Sequence, residues 1–121
     1  MDSNSILSAE IHPSQPDKVI STGVSGIISL WDLKKPKIPF FSCKPSNSIN
    51  WKIQFLPYEQ SKIVTCNENG ELIYWKYENL NENNFLKTKD STNFGINNFD
   101  IFDQYIAYVY DNGRVSISNL E

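Results

Sequence analysis

The chain has 121 residues and a formal net charge of −3, with 40% hydrophobic and 21% charged side chains. This length and composition predict one compact domain, or part of one, and exclude a chain that is disordered throughout. The acidic balance argues against nucleic acid as a partner, and no apolar run approaches the roughly 20 residues that a membrane span needs. The first residues lack the basic and apolar regions of a secretory signal, which predicts an intracellular location.

Histidine and cysteine are too scarce to build a metal site or a familiar catalytic centre. The chain has one histidine, His12, and two cysteines, Cys43 and Cys66, which are not in a CxxC spacing. We therefore predict no metal and no cofactor, and we expect the two cysteines to be reduced core thiols. No activated nucleophile accompanies His12, which we interpret as a turn residue rather than a general base. The chain is not expected to be an enzyme or to bind a small-molecule substrate.

The first predicted unit extends from residue 5 to residue 44. Its first strand, Ile6 to His12, ends at a proline turn. A hairpin follows from Val19 to Leu33, with a turn that ends in Gly26, and Ile38 to Cys43 is the fourth predicted strand. β-Branched and aromatic residues alternate with polar ones at a period of two, which favours strands over helices.

A second unit repeats this order over residues 48–88. It begins with an extended run, Ile49 to Leu56, that again ends at a proline, and a second hairpin follows. Its fourth strand, near Phe85 to Lys87, has a fainter pattern than its counterpart in the first unit. That strand falls within an asparagine-rich segment, about 78–93, which we interpret as an inserted loop that is partly disordered.

The third predicted unit, residues 95–121, has one strand, Ile96 to Phe102, and one hairpin, and it ends before a fourth strand. Glycines spaced by 44 and 43 residues set the register of the three hairpins: Gly26, Gly70 and Gly113. Two of these turns read Asn69-Gly70 and Asn112-Gly113. A two-residue type I′ turn needs positive φ at both central positions, which Asn and Gly tolerate, so we predict that turn type.

Four strands in a repeat of roughly 40–45 residues are typical of one β-propeller blade. Because Trp31-Asp32 also ends the third strand of the first unit, the chain resembles the WD-repeat family. The resemblance implies an all-β fold of three divergent blades, the last incomplete, in which Trp31 and Trp75 pack between blades. The family's hydrogen-bonded tetrad is predicted to be absent, because no Gly-His dipeptide occurs and the turn aspartate is replaced. The replacing residues are Ser25, Asn69 and Asn112.

Within this family, five segments are similar to the WD-repeat nucleoporins of the outer ring of the nuclear pore. The segments are 11–23, 29–33, 51–57, 65–70 and 96–101. This resemblance implies a non-enzymatic scaffold at the nuclear envelope whose partners are other nucleoporins of the Y-shaped complex or a complementary half-propeller. Because closure removes exposed strand edges, the missing strands are expected to come from another polypeptide, a second copy or an N-terminal half.

Two alternative functions remain open from the sequence. Trp31-Asp32-Leu33-Lys34 approaches the Trp-Asp-x-Arg box of WD-repeat substrate receptors of cullin ubiquitin ligases. Lysine cannot reproduce the planar bidentate contact of arginine, which weakens that interpretation. Another WD-repeat assembly platform is the second alternative. The basic cluster Lys34–Lys37 has the form of a short nuclear localisation signal, or else it is a solvated loop.

Trp51 is the candidate partner contact, because it follows the loop between two units on a face that propellers use for binding. The sequence is equally compatible with Trp51 packing in the core between two blades. Six other large apolar residues are predicted to pack in the core or between blades. They are Phe40, Phe41, Phe55, Ile73, Tyr108 and Ile117.

Overall fold

The computed structural model describes residues 5–44, 47–57, 59–77, 85–89 and 94–120. Eleven strands in these ranges form three antiparallel sheets. The first sheet contains β1 (Ile6–Ile11), β2 (Lys18–Gly23), β3 (Ile28–Asp32) and β4 (Phe41–Cys43). The second contains β5 (Asn50–Leu56), β6 (Glu59–Asn67), β7 (Glu71–Lys76) and β8 (Phe85–Lys89). The third contains β9 (Ile96–Phe102), β10 (Tyr105–Tyr110) and β11 (Val115–Asn119).

Each sheet is a meander in which every strand after the first pairs with the strand that precedes it in the chain. The predicted all-β fold, with two four-stranded units and a third of three strands, is confirmed. Strand β8 lies within the segment 78–93, where the sequence predicted both a faint strand and an inserted loop. The rest of that segment, 78–84 and 90–93, lies outside the described residues. The predicted partial disorder of the loop concerns these residues and stays a prediction.

The first core lies between the first and second sheets. Successive side chains of a strand point to opposite faces, so alternate residues of the first sheet meet alternate residues of the second. Burying each large apolar side chain contributes about 1.5–3 kcal/mol to stability. The buried members are Ile20, Ile28, Leu30, Ile53, Phe55, Ile63, Ile73 and Trp75.

The second core joins the other face of the second sheet to the third sheet. Cys66 is part of it, and burial raises the pKa of this thiol to about 12. The thiol therefore stays protonated at neutral pH, as predicted for a core cysteine; Cys43 is also free and half-buried. The buried members of this core are Leu56, Val64, Cys66, Leu72, Ile96, Phe99, Ile101, Ile106 and Tyr110.

In each sheet, the turn between the second and third strands ends at a glycine that has a left-handed backbone conformation. The three glycines have φ of +77°, +79° and +86°, whereas Asp103 is the single non-glycine residue with positive φ in the described ranges. Asn69 and Asn112 therefore have negative φ, and the predicted type I′ turns are wrong. A loop of three residues with glycine alone in the left-handed conformation replaces them. The closing bonds run from Gly26 N–H to Gly23 O (3.1 Å), Gly70 N–H to Asn67 O (3.2 Å) and Gly113 N–H to Tyr110 O (2.9 Å).

Two of the six predicted core aromatics and aliphatics are exposed. Phe55 and Ile73 are buried, and Phe41 and Tyr108 pack against the two cores. Phe40, however, is 55% exposed and Ile117 is 71% exposed. Phe40 precedes the short outer strand β4, and Ile117 lies on a face of the third sheet that no described residue covers.

Candidate interaction site

Side chains of β1, the first strand of the first sheet, bond to the backbone of β5, the first strand of the second sheet. Ser8 Oγ accepts the N–H of Ile53 at 3.1 Å, and Glu10 Oε1 accepts the N–H of Phe55 at 3.0 Å. Burial raises the pKa of Glu10, and the hydrogen bond from Phe55 opposes that shift. These bonds fix β1 against β5, so the first two sheets are joined by polar contacts as well as by the core.

The same arrangement recurs between the second and third sheets. Lys52 Nζ donates to Phe99 O at 2.6 Å, and the ammonium lies 4.9 Å from the centroid of the Phe99 ring. Here the side chain donates and a carbonyl accepts, whereas between the first two sheets a backbone N–H donates. In both cases the side chain satisfies a backbone group of the first strand of a sheet, on the side where no other strand pairs with that strand.

Asn50 ties the second sheet to the hairpin turn of the first. Its side chain is fully buried, and Nδ2 donates to Thr22 Oγ1 at 2.9 Å and to Gly26 O at 3.2 Å. The role of Asn50 was not predicted from the sequence. The sequence shows only that a polar residue precedes an alternating apolar run. It does not indicate that the Asn50 side chain bonds to Gly26, which is 24 residues away.

The Trp-Asp pair of the first sheet makes two separate contacts. Trp31 is half-buried and its Nε1–H donates to Ser21 Oγ at 2.8 Å. Asp32 accepts the N–H of Lys34 at 2.9 Å and Lys18 Nζ at 3.2 Å, and these two bonds lower the pKa of Asp32. Trp75, at the matching place in the second sheet, is 2% exposed and belongs to the first core.

His12 packs between the first and second sheets, and the Ser14 hydroxyl lies 3.4 Å from its Nδ1. The ring is 5% exposed and lies edge-on to Phe55 and Tyr77, with centroids 4.7 and 5.0 Å apart. Nδ1 accepts the backbone N–H groups of Ser14 at 3.1 Å and Gln15 at 3.2 Å. An acceptor nitrogen carries no proton, so this geometry requires neutral imidazole, and burial lowers the pKa of His12.

The pH dependence of stability follows from this histidine. Its pKa lies below 6.5 in the fold, so its contribution is complete above the unfolded-state value and is lost as the pH falls through the folded-state pKa. We therefore expect the free energy of unfolding to decrease as the pH is lowered through 6.5. His12→Asn keeps an acceptor but cannot titrate, so urea titrations of this variant should show a smaller decrease; an equal decrease would assign the effect to other groups.

The predicted basic cluster lies in an exposed loop. Lys34, Lys35 and Lys37 are exposed, and Lys34 Nζ is 3.8 Å from the Asp17 carboxylate. A surface cleft of about 340 Å³ opens beside this loop. Its lining residues are Lys18, Asp32, Lys35, Ile38, Pro39 and Phe40. The exposure that an import signal needs is present, and the signal itself stays a prediction.

Trp51 lies at the rim of the second core. Its ring is half-buried and packs against that core, while Nε1–H donates to Glu68 Oε2 at 2.6 Å at the surface. The side chain therefore has a packing role and an exposed edge. Its role as a partner contact stays a prediction.

The described part of the chain contains no cluster of three or more His, Cys, Asp or Glu side chains that could hold a metal ion. In the same residues, no helix has the length and apolar character required to span a membrane.

Comparison with curated proteins finds the nucleoporin Nup43 of several organisms. Human Nup43 is 31% identical over 64 residues, which cover 53% of this chain and 17% of that protein, and the values for mouse Nup43 are the same. The nuclear pore complex protein NUP43 of Arabidopsis thaliana is 31% identical over 83 residues, covering 54% of this chain and 23% of the relative. The matches thus span about a fifth of these relatives. No protein-family model matches the chain.

A solved structure gives the fold independently. Raptor from Chaetomium thermophilum superposes with a TM-score of 0.73 over 86% of this chain and 10% of the Raptor chain. The chain is Nup43-like and has a WD-repeat β-propeller fold. Sequence identity to Raptor is 14%, so this likeness shows the fold alone. The expected WD-repeat β-propeller fold is confirmed, and over about half of its length the chain is similar to Nup43.

Proposed function

We propose that the chain is a protein–protein interaction scaffold of the nuclear pore outer ring, located at the nuclear envelope and without catalytic activity. The observation that carries this proposal is the similarity to Nup43 from human, mouse and Arabidopsis thaliana. The rigid packing of three sheets through two cores supports a role in presenting surfaces to other proteins. We further propose that residues 5–44, 48–88 and 95–121 are its three structural blades.

The test combines location with purification at native abundance. A tagged chain is expected at the nuclear rim, and affinity purification followed by mass spectrometry is expected to recover outer-ring nucleoporins in stoichiometric amounts. Recovery of a cullin adaptor instead, lost when Trp31 and Asp32 are substituted, would support the ubiquitin-ligase alternative. If the tagged chain is distributed diffusely and neither outer-ring nucleoporins nor cullin adaptors are recovered, both functions are contradicted.

The cullin alternative has no structural observation in its favour. In the first sheet, the Asp32 carboxylate is already engaged by Lys18 and by the backbone of Lys34. The Lys34 side chain is 78% exposed and approaches Asp17. A single ammonium group does not present the planar fork that a bidentate contact needs, so this loop is the weaker candidate for an adaptor contact.

Trp51→Ala tests the proposed partner contact. Because the ring is half-buried, we expect a modest loss of stability, about 1–2 kcal/mol. Loss of an interface hot spot should reduce recovery of the pore partners by about tenfold or more. Trp51→Phe is the matched control, since it keeps an aromatic ring in the packing but loses part of the indole volume and the Nε1 bond to Glu68. Unfolding of the Ala variant, measured by circular dichroism, would show that Trp51 acts mainly in the core.

A further inference from the structure

The cleft beside the loop that joins β3 to β4 has a largely apolar lining. Its volume of about 340 Å³ is at the lower end of the range for ligand pockets, which suits one or two side chains of a peptide. We call it the loop cleft, and its lining residues are Lys18, Asp32, Lys35, Ile38, Pro39 and Phe40. Ile38 is 74% exposed and Phe40 is 55% exposed, so two large apolar side chains lie at the surface of one concave site.

The loop is held in shape by bonds to the first sheet. Near its start, the N–H of Lys35 donates to Asp32 O at 2.9 Å, and at its end the N–H of Phe40 donates to Leu30 O at 2.9 Å. The Lys18 ammonium also lies 5.6 Å from the centroid of the Phe40 ring. The cleft is therefore formed before any ligand binds, which lowers the conformational entropy that binding costs.

The loop cleft lies where a further sheet of a propeller would not cover it. Lys18 and Asp32 are directly opposite each other, two residues from Ile20 and Leu30 along their strands. Side chains two residues apart share a face, and Ile20 and Leu30 belong to the core between the first and second sheets. A further sheet would pack on the opposite face, where Trp31 lies, and would leave the cleft open.

Two lysines at the loop cleft form no ion pair with any residue that the structure describes. They are Lys35, which lines the cleft, and Lys37, which is exposed in the same loop. The two other lysines nearby are paired with carboxylates. These pairs are Lys18–Asp32 at 3.2 Å and Lys34–Asp17 at 3.8 Å. The four lysines and two aspartates give this site a charge of +2, in a chain whose net charge is −3.

These features favour an acidic protein segment over other polyanions. Nucleic acid affinity comes from many neutralised phosphates, and polybasic lipid sites use about four to eight lysines or arginines, whereas only two lysines here are unpaired among the described residues. An apolar hollow beside two cations fits an apolar side chain whose neighbours in a peptide are carboxylates. The net acidic remainder of the surface would repel such a segment, which directs it to this site.

We propose that the loop cleft binds a short acidic segment of a partner protein. One apolar side chain of that segment occupies the cleft, and flanking carboxylates lie on Lys35 and Lys37. This inference goes beyond the nuclear pore assignment and does not depend on it. The predicted import signal uses the same lysines but does not use Ile38, so a substitution of Ile38 separates the two roles.

The test begins with a phage-displayed library of random peptides, selected on the full chain. Peptides that combine an apolar residue with flanking aspartate or glutamate should be enriched. Fluorescence anisotropy then measures the dissociation constant of one enriched peptide. Lys35→Glu should raise it by roughly tenfold through charge repulsion, and Ile38→Ser should raise it by roughly tenfold through lost apolar contact. Both side chains are exposed, so circular dichroism should show an unchanged fold.

Two matched controls make the same chemical changes away from the cleft. Arg114→Glu reverses a charge in the exposed turn of the third sheet, and Phe102→Ser removes a side chain that is 84% exposed at the end of β9. Both variants should bind the peptide as the wild type does. Equal weakening by these controls would overturn the proposal.

The selection itself has outcomes that contradict the proposal. Enrichment of no peptide, or only of basic or uncharged peptides, would overturn it. Binding of phosphatidylserine vesicles or of DNA through Lys35, without enrichment of acidic peptides, would overturn it as well. All of these measurements use the purified chain, so their failure is distinguishable from a failure of the nuclear pore assignment.

Discussion

Gly70→Ala is expected to lower the free energy of unfolding by about 2–4 kcal/mol. Gly70 has φ of +79°, and a Cβ atom there would lie 2.6 Å from the carbonyl oxygen of Phe94. The left-handed conformation alone costs an alanine about 1–2 kcal/mol. The second contribution arises because the opposing atom belongs to the backbone that leads into β9, so the third sheet must shift to relieve the contact.

Gly113→Ala is the matched control for this prediction. Gly113 has nearly the same backbone conformation, with φ of +86°, but no atom lies within 4 Å of the place its Cβ would take. The control should therefore show only the conformational cost, about 1–2 kcal/mol. Urea titrations followed by circular dichroism measure both values. Equal losses in the two variants would mean that the contact with Phe94 does not constrain the packing of the third sheet.

The strands and their grouping could be predicted because they depend on local pattern. A period of two in β-branched and aromatic residues identifies a strand, and the glycine spacing aligned the three hairpins before any contact was known. The turn type failed for a definite reason. Asn-Gly is compatible with a type I′ turn and also with a three-residue loop in which glycine alone has positive φ, and the dipeptide does not distinguish them.

The contacts between sheets could not be predicted from the sequence. Asn50 reaches Thr22, and Glu10 reaches the backbone of Phe55, across 28 and 45 residues of chain. Their geometry depends on how one sheet is placed against the next, which periodicity does not specify. Ile117 shows the same limit, since its alternation is that of a buried strand residue. Whether it is buried depends on a sheet that the described chain does not provide.

Trp75→Ala is expected to destabilise the chain by about 3–5 kcal/mol. The indole is 2% exposed within the first core, so its removal leaves a cavity among well-packed side chains. A loss of this size is a large part of the stability of a small domain. The variant should therefore have a much lower urea midpoint, and a large fraction of it should be unfolded near 37 °C.

Trp31→Ala is the matched control, because Trp31 holds the same place in the first sheet. Its indole is half-buried and bonds to Ser21, so the expected loss of stability is about 1–2 kcal/mol. Urea titrations of both variants measure the difference. Equal losses for Trp31→Ala and Trp75→Ala would show that burial between the first two sheets does not set the larger effect of Trp75.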